Sequence, residues 1–403
     1  MTDPATSCPP ERTDSAWRIF LIFLRLGLTS FGGPVAHLGY FRDAFVTRRG
    51  WLDERSYAEL VALCQFLPGP ASSQVGIALG LLRGGKAGAF AAWAGFTLPS
   101  AIALTLFALG LARWDNAVAG GLLHGLKIVA VAVVAQAVWG MARSFCSDGI
   151  RVGIAVVAAM LTLLLPAAWA QLGVILIAGL LGLALFRPSK NAARLTIAPR
   201  IGRTTGALLL AAFFALLLIL PVLAAASDAP LIALLDTFYR VGALVFGGGH
   251  VVLPMLEAEV VPSGWVSQDT FMAGYGAAQA VPGPLFTFSA FLGGAMVGGS
   301  PLYAAACLVA VFAPSFLLVM GVLPFWARLS ANRSLQSALA GVNAAVVGLL
   351  LAALYDPVWI SAIHDATDFA LALLALAALV SWKMPPWLVV LGGGLLGWLL
   401  PGV

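Results

Sequence analysis

Apolar stretches of roughly helix-spanning length recur along the chain. They lie at 17–40, 57–82, 87–111, 117–142, 150–166, 170–186, 204–227, 231–256, 270–298, 302–325, 337–355, 363–381 and 385–401. A membrane helix needs about 20 apolar residues at 1.5 Å each to cover the hydrocarbon core. A transmembrane barrel would show runs of about 10 residues with alternating polarity instead. The pattern therefore predicts an all-α polytopic membrane protein. Four of the thirteen stretches carry clusters of helix breakers well inside them. Pro68-Gly69-Pro70 interrupts 57–82 and Pro282-Gly283-Pro284 interrupts 270–298, while Phe31-Gly32-Gly33-Pro34 and Phe246-Gly247-Gly248-Gly249 interrupt 17–40 and 231–256. Each proline removes a backbone donor and pushes its predecessor out of the α region, so 57–82 and 270–298 should each be two half-helices.

These breakers belong to an internal repeat. Arg25-Leu26-Gly27 returns as Arg240-Val241-Gly242 and Phe31-Gly32-Gly33 as Phe246-Gly247-Gly248, both at an offset of 215. Gly50-Trp51 returns as Gly264-Trp265, and Gln65-x-x-Pro68-Gly69-Pro70 as Gln279-x-x-Pro282-Gly283-Pro284, at an offset of 214. Pro99-Ser100 pairs with Pro314-Ser315, and Gly125-Leu126-Lys127 with Gly341-Val342-Asn343. The order predicts a polar cytoplasmic tail (1–16), a first repeat (17–190), a basic linker with one connecting helix (191–230) and a second repeat (231–401). No signal-peptide pattern precedes the first apolar run, which is expected to be retained.

Charge sets the expected topology. The segment 187–203 carries Arg187, Lys190, Arg194, Arg200 and Arg203 with no acid, which places it in the cytoplasm. The single helix 204–227 then inverts the second repeat relative to the first. Loop 42–55 carries Arg42, Arg48, Arg49 and Arg55, whereas its counterpart near 257–269 carries Glu257, Glu259 and Asp269, as equivalent loops on opposite sides would. Counting every stretch as a crossing nonetheless puts 42–55 outside. Either that loop breaks the charge rule, or the Phe-Gly-Gly and Pro-Gly-Pro stretches are re-entrant pairs that do not cross; the second option is preferred here.

Composition supports the membrane reading and narrows the chemistry. The chain is 61% hydrophobic and 10% charged, against about 25% charged in soluble domains. Its mean hydropathy is +0.98. The net charge of +5 falls in short connections and reads as topology, not as a nucleic-acid surface. Cys8, Cys64, Cys146 and Cys307 form no CxxC pair, and the four histidines lack metal-ligand spacing, so no metal or cofactor is expected.

Non-helical backbone at membrane depth survives only where it is buried in protein or lines a wet cavity. Each helix that restarts after a break presents unpaired N–H groups, a ready anion site. After the first Pro-Gly-Pro come Ala71, Ser72, Ser73 and Gln74, whose hydroxyls and amide add donors; after the second, Thr287 and Ser289 are the candidates. The first copy is the more polar and takes more weight. Gly32, Gly33, Gly247 and Gly248 allow close backbone approach to an ion, with tight helix packing as the other reading. Gln65 and Gln279 precede the breaks.

Arg25 and Arg240 stand at equivalent positions, and a guanidinium fork suits a tetrahedral oxyanion. Lys127 is the next charge partner. The competing reading is that each pairs with a buried acid or snorkels to an interface. Glu59, His37 and His250 are candidates to carry a coupling proton. Absence of a GxxxxGK[ST] loop argues against ATP-driven pumping by this chain, and no HExxH or GxSxG suggests an enzyme. A secondary transporter and an anion channel both fit.

The runs Arg25-Leu-Gly-Leu-Thr-Ser-Phe-Gly-Gly-Pro34, Trp51-Leu and Gln65-Phe-Leu-Pro-Gly-Pro70 resemble the chromate ion transporter family. So do Phe246-Gly-Gly-Gly-His250 and Gln279-Ala-Val-Pro-Gly-Pro284, and the duplication resembles its long-chain members. The resemblance implies a bacterial inner-membrane exporter of chromate, recognised as a sulfate look-alike, that uses the proton gradient or membrane potential and confers resistance. It leaves open a sulfate or other oxyanion permease and a homodimer. Gly249 stands where the first copy has Pro34.

Overall fold

A computed structural model describes residues 14–111, 116–165, 168–186, 201–246, 249–296, 298–330 and 332–399. Among them the first copy contributes α1 (Ala16–Thr29), α2 (Gly33–Arg42), α3 (Glu54–Phe66), α4 (Ala71–Leu111), α5 (Asn116–Phe145), α6 (Gly149–Leu164) and α7 (Ala168–Leu185). The connecting helix is α8 (Arg203–Ala225). The second copy contributes α9 (Pro230–Leu244), α10 (Val252–Val260), α11 (Gln268–Ala280), α12 (Phe288–Ala295), α13 (Pro301–Val322) and the short α14 (Trp326–Leu329). It ends with α15 (Arg333–Ala353), the short α16 (Ile360–Ala362), α17 (Ala366–Val380) and α18 (Pro386–Leu399). Among the described residues five stretches are long and apolar enough to cross a membrane: Ala71–Leu111, Gly120–Phe145, Arg203–Ala225, Pro301–Phe325 and Arg333–Ala362. The chain is an all-α polytopic membrane protein.

Within α4 the backbone turns back at Gly84 and Gly85, the latter at φ +62°, so 71–83 and 86–111 form a helical hairpin. Arg83 lies 3.6 Å from Asp14 and its guanidinium sits 5.0 Å over Trp51. The start of α1, the loop after α2 and the end of 71–83 therefore share one end of the molecule. Phe23 of α1 stacks on Phe45 and meets Phe41 edge-on, as a hairpin of α1 with α2 requires. Glu54 at the start of α3 pairs with Arg42 at the end of α2. Both pairs, α1–α2 and α3 with 71–83, thus enter and return to the same end. Each arm has 10 to 14 residues, about 15–21 Å and short of the roughly 30 Å hydrocarbon core. These are re-entrant pairs, and 42–55 lies at the entry end.

The second copy runs the other way. Gly283 sits against Phe96 and Ser100, Phe291 stacks on Phe107, and Gly294 faces Thr105 and Ala108, so α12 runs alongside 86–111 in the same direction. Gly293 packs on Tyr303 and Ala304 across the following turn, so α12 folds back on α13. Hence α13 is antiparallel to its counterpart 86–111, and the repeats are inverted.

The two copies also exchange their C-terminal helices: α5 packs on α17 and α18, and α15 on α6 and α7. Small residues permit this. A Cβ on Gly125 would fall 2.1 Å from the Gly393 carbonyl, and one on Gly341 would fall 2.0 Å from that of Ala178. Without a hydrophobic drive between helices in lipid, such close packing supplies the association energy. Gly125→Val and Gly341→Val are each expected to lower the unfolding temperature in detergent by about 5 °C or more, from overpacking of roughly 1–3 kcal/mol. Gly140→Val, where nothing lies within 4 Å, should change it little; equal shifts at all three would remove the packing argument.

Described cations outnumber acids toward the entry end of the first copy, where Arg18, Arg42, Arg48, Arg49, Arg55, Arg83, Lys86, Arg151 and Arg333 lie with Asp14, Asp43, Asp53, Glu54, Glu59 and Asp148. Arg151 and Phe186 are in contact there, as are Ser337 and Phe186. Asp228, Asp236, Glu257, Glu259, Asp269, Asp356, Asp365 and Asp368 lie toward the opposite end. We call these the basic and acidic ends. Residues 187–200 of the basic linker lie outside the described residues.

Candidate binding site

Local backbone chemistry makes four helix tips. Ser30 is extended, Gly32 and Gly33 take φ +100° and +77°, and Pro34 enters the first turn of α2, where no N–H is needed. Leu67 and Val281 are extended, as residues before proline must be, and Gly69 and Gly283 take φ +114° and +103°.

The tips of the two copies are tied to each other. The Gly69 N–H donates to the Val245 carbonyl at 2.7 Å, and the Gly283 N–H donates to the Ser30 carbonyl at 2.9 Å. The pairs are repeat counterparts, so one cross-copy bond is made twice. Ser315 stands beside Gly69 and Ser100 beside Gly283. Both serines belong to the repeated Pro-Ser pair, which marked the duplication in the sequence but was not assigned to the site.

A small open recess lies at this junction, lined by Gly32, Gly33, His250, Ala278, Gln279, Val281, Gly283, Leu285 and Pro386. It joins the Phe-Gly-Gly tip of the first copy to the Pro-Gly-Pro tip of the second. His250 shares a hydrogen bond of 2.8 Å between its Nδ1 and the Tyr275 hydroxyl. Its Nε2 lies 3.7 Å from where a Cβ on Gly33 would sit. The Gln279 Nε2 is buried with no hydrogen-bond partner. An imidazole, a glutamine side chain and the start of α2 thus line the recess together with no carboxylate among the lining residues, which suits a small anion. Tyr275 gave no sequence signal, since its counterpart is Val61.

Behind the first-copy tip lies a buried polar layer. His37 Nδ1 is 3.4 Å from the Ser72 hydroxyl, and Gln74 donates to the Pro68 carbonyl at 2.6 Å and reaches Ser315 at 3.5 Å. Ser30 Oγ, His37 Nε2, Ser73 Oγ, Gln74 Oε1 and Thr97 Oγ1 are buried without partners. Ser72, Ser73 and Gln74, which carried the most weight in the sequence, sit in this layer and not in the cavity lining. Pro68, Pro70, Pro282 and Pro284 shape the tips. Thr287 donates to the Pro284 carbonyl at 2.8 Å and Ser289 to that of Phe286 at 2.7 Å, so both hydroxyls are used locally. Gln65 is exposed on α3, unlike Gln279. Gly247 and Gly248 lie outside the described residues.

The charged candidates stand apart from the cavity. Arg25 is exposed on α1. Partial burial, then the guanidiniums of Arg25, Arg48 and Arg18, lower the pKa of Arg49 in the basic-end loop, which places Arg25 among those cations. Arg240 is bound by two carboxylates, Asp236 at 2.9 Å and Glu259 in a short contact. The counterparts of those acids are Leu21 and Ala44, so the copies treat equivalent arginines differently for a reason written in the sequence. Lys127 pairs with Asp269 at 2.9 Å, and buried Glu59 pairs with Arg55 at 3.2 Å. Among the described residues no group of three or more His, Cys, Asp or Glu is placed to hold a metal ion.

The family model described as chromate transporter matches residues 17–183 and again 232–398. A chromate transport protein of Pseudomonas aeruginosa is 30% identical over 99% of this chain and 95% of its own length. One from Cupriavidus metallidurans is 28% identical over 98% of this chain and 96% of its own. A probable chromate transport protein of Synechococcus elongatus is 29% identical over 90% and 88%. No solved structure matches.

Proposed function

The chain belongs to the chromate transporter family, and from that premise we propose that it exports chromate and related sulfate-like oxyanions by secondary active transport. The anion rests at the four-tip junction, donated to by Gln279, by His250 and by the backbone at the start of α2. The observation that carries this reading is the buried, unpartnered Gln279 amide in a cavity that the two inverted copies close together. Paired broken helices meeting at mid-depth are the usual position of a transporter site. The basic end faces the cytoplasm of a bacterial cell, in keeping with the charge rule, and export from there confers chromate resistance. The coupling ion is a proton, with His250 its nearest carrier to the anion and His37 and Glu59 behind the tips.

The test is chromate uptake by everted vesicles, which an exporter drives inward. Uptake is expected to saturate, to be inhibited by sulfate and to collapse with a protonophore. Flux that survives the protonophore and simply follows the chromate gradient would replace the coupled transporter with a channel.

A further inference from the structure

Inverted repeats share one architecture, so a difference in how counterpart helices pack bears on which way the molecule is open. The re-entrant arms α3 and α11 are counterparts. In the second copy α11 is packed along α5 and α18. Gly276 lies so close that a Cβ there would be 2.5 Å from the Leu126 carbonyl, and Asp269 is held by Lys127 at 2.9 Å. In the first copy α3 packs on α2 and α4, with Phe66 at its end edge-on to Trp326 of α14, and among the described residues no comparable packing joins it to α15, the counterpart of α5. Consequently Ala58, Ala62 and Gln65 are exposed on α3, while their counterparts Met272 and Gly276 are buried and Gln279 is half-buried.

The open face of α3 is not dressed for lipid. Helix α8 exposes Leu208, Phe214, Leu218, Ile219 and Val222. The α3 face instead runs from Arg55, 77% exposed at the basic end, past two alanines to a glutamine at the tip. A glutamine amide in hydrocarbon would go unsatisfied, so this face borders water.

We infer that the protein stands open to its basic end through a vestibule along α3, and that the Lys127–Asp269 pair latches the acidic end shut. Access alternates when α5 releases α11 and α15 closes on α3, bringing Asn343, the counterpart of Lys127, to Arg55, the counterpart of Asp269. This rests on the transport reading above, but its test contains no oxyanion and can fail separately from it.

Single cysteines are placed in a chain whose four native cysteines are replaced by alanine, and vesicles are treated with a membrane-impermeant maleimide. The side from which Arg48→Cys reacts defines the basic end. Ala62→Cys is expected to react from that side alone, and Met272→Cys from neither. Adding Lys127→Ala should expose Met272→Cys from the opposite side by about fivefold, the scale of a partly exposed ion pair. The exchanged pair Lys127→Asp with Asp269→Lys should shield it again, which a misfolded protein would not do. Reaction of Ala62→Cys from the acidic end, from both ends or from neither would overturn the inference. So would a Met272→Cys indifferent to Lys127, or no shielding by the exchanged pair. A failed chromate assay with this labelling pattern intact would remove the substrate and leave the latch.

Discussion

Gln279→Glu is expected to abolish chromate flux, while Gln65→Glu at the equivalent repeat position leaves it within about threefold of wild type. The two side chains are identical in the sequence and differ in what surrounds them. Gln279 lines the cavity with its Nε2 buried and unpartnered, whereas Gln65 is exposed on α3. Glutamate keeps the shape, converts the donor to an acceptor and adds a charge. Two unit charges about 4 Å apart interact by roughly 4 kcal/mol at an effective dielectric near 20, which is on the order of 1,000-fold in binding and more for a doubly charged anion. Gln279→Leu removes the donor without adding charge and should lose roughly 10- to 100-fold, the worth of a hydrogen bond to an ion. Initial rates in vesicles, normalised to protein inserted, separate these cases. If Gln65→Glu were the more damaging of the two, the anion would sit on the first-copy side, where the sequence alone had placed the emphasis.

That emphasis shows what is local and what is not. The breaks at Pro68-Gly69-Pro70 and Pro282-Gly283-Pro284 were legible because the constraints of proline and glycine act within a residue or two. Inversion was legible too, from one intervening helix and from the opposite charge of loops 42–55 and 257–269. The face of the junction that holds a cavity was not legible. It depends on how α11 leans on α5 and α18 while α3 leans on neither, and both arms carry the same glutamine. The exchange of α5 and α15 between copies is likewise a matter of long-range packing, hinted at only by glycines four residues apart, such as Gly121 with Gly125 and Gly393 with Gly397.

The arginines show a different limit. Arg25 and Arg240 align, which suggested one shared role, yet one is exposed on α1 and the other is neutralised by Asp236 and Glu259. Asp236 lies one helical turn before Arg240, while Leu21 stands at that place in the first copy, so the signal was present. A site without a cation in its lining fits transport better than tight storage. A doubly charged ion held by amide, imidazole and helix-end dipoles can leave again, whereas a bidentate guanidinium would hold it more firmly.

Gly283→Ala should reduce flux by about tenfold or more, and by more than Gly69→Ala, although both glycines make the same cross-copy bond. Both adopt a φ that costs an alanine about 1–3 kcal/mol. The surroundings then decide. A Cβ on Gly69 would meet the Gln74 amide at 2.7 Å and the Ser315 hydroxyl at 2.9 Å, both ends of side chains that can rotate away. A Cβ on Gly283 would meet the Ser100 hydroxyl at 2.9 Å and the Phe96 carbonyl at 3.0 Å, and the backbone of 86–111 cannot rotate. The tip must then move outward, which stretches the 2.9 Å bond from Gly283 to Ser30 and shifts Gly283 itself in the cavity wall. Gly50→Ala controls for the backbone term, since its φ is +57° with nothing within 4 Å. Combining Gly283→Ala with Ser100→Ala relieves one of the two contacts and should restore part of the flux. A Gly283→Ala protein as active as Gly50→Ala would mean that the cross-copy junction tolerates displacement, and a site built on its geometry would have to be given up.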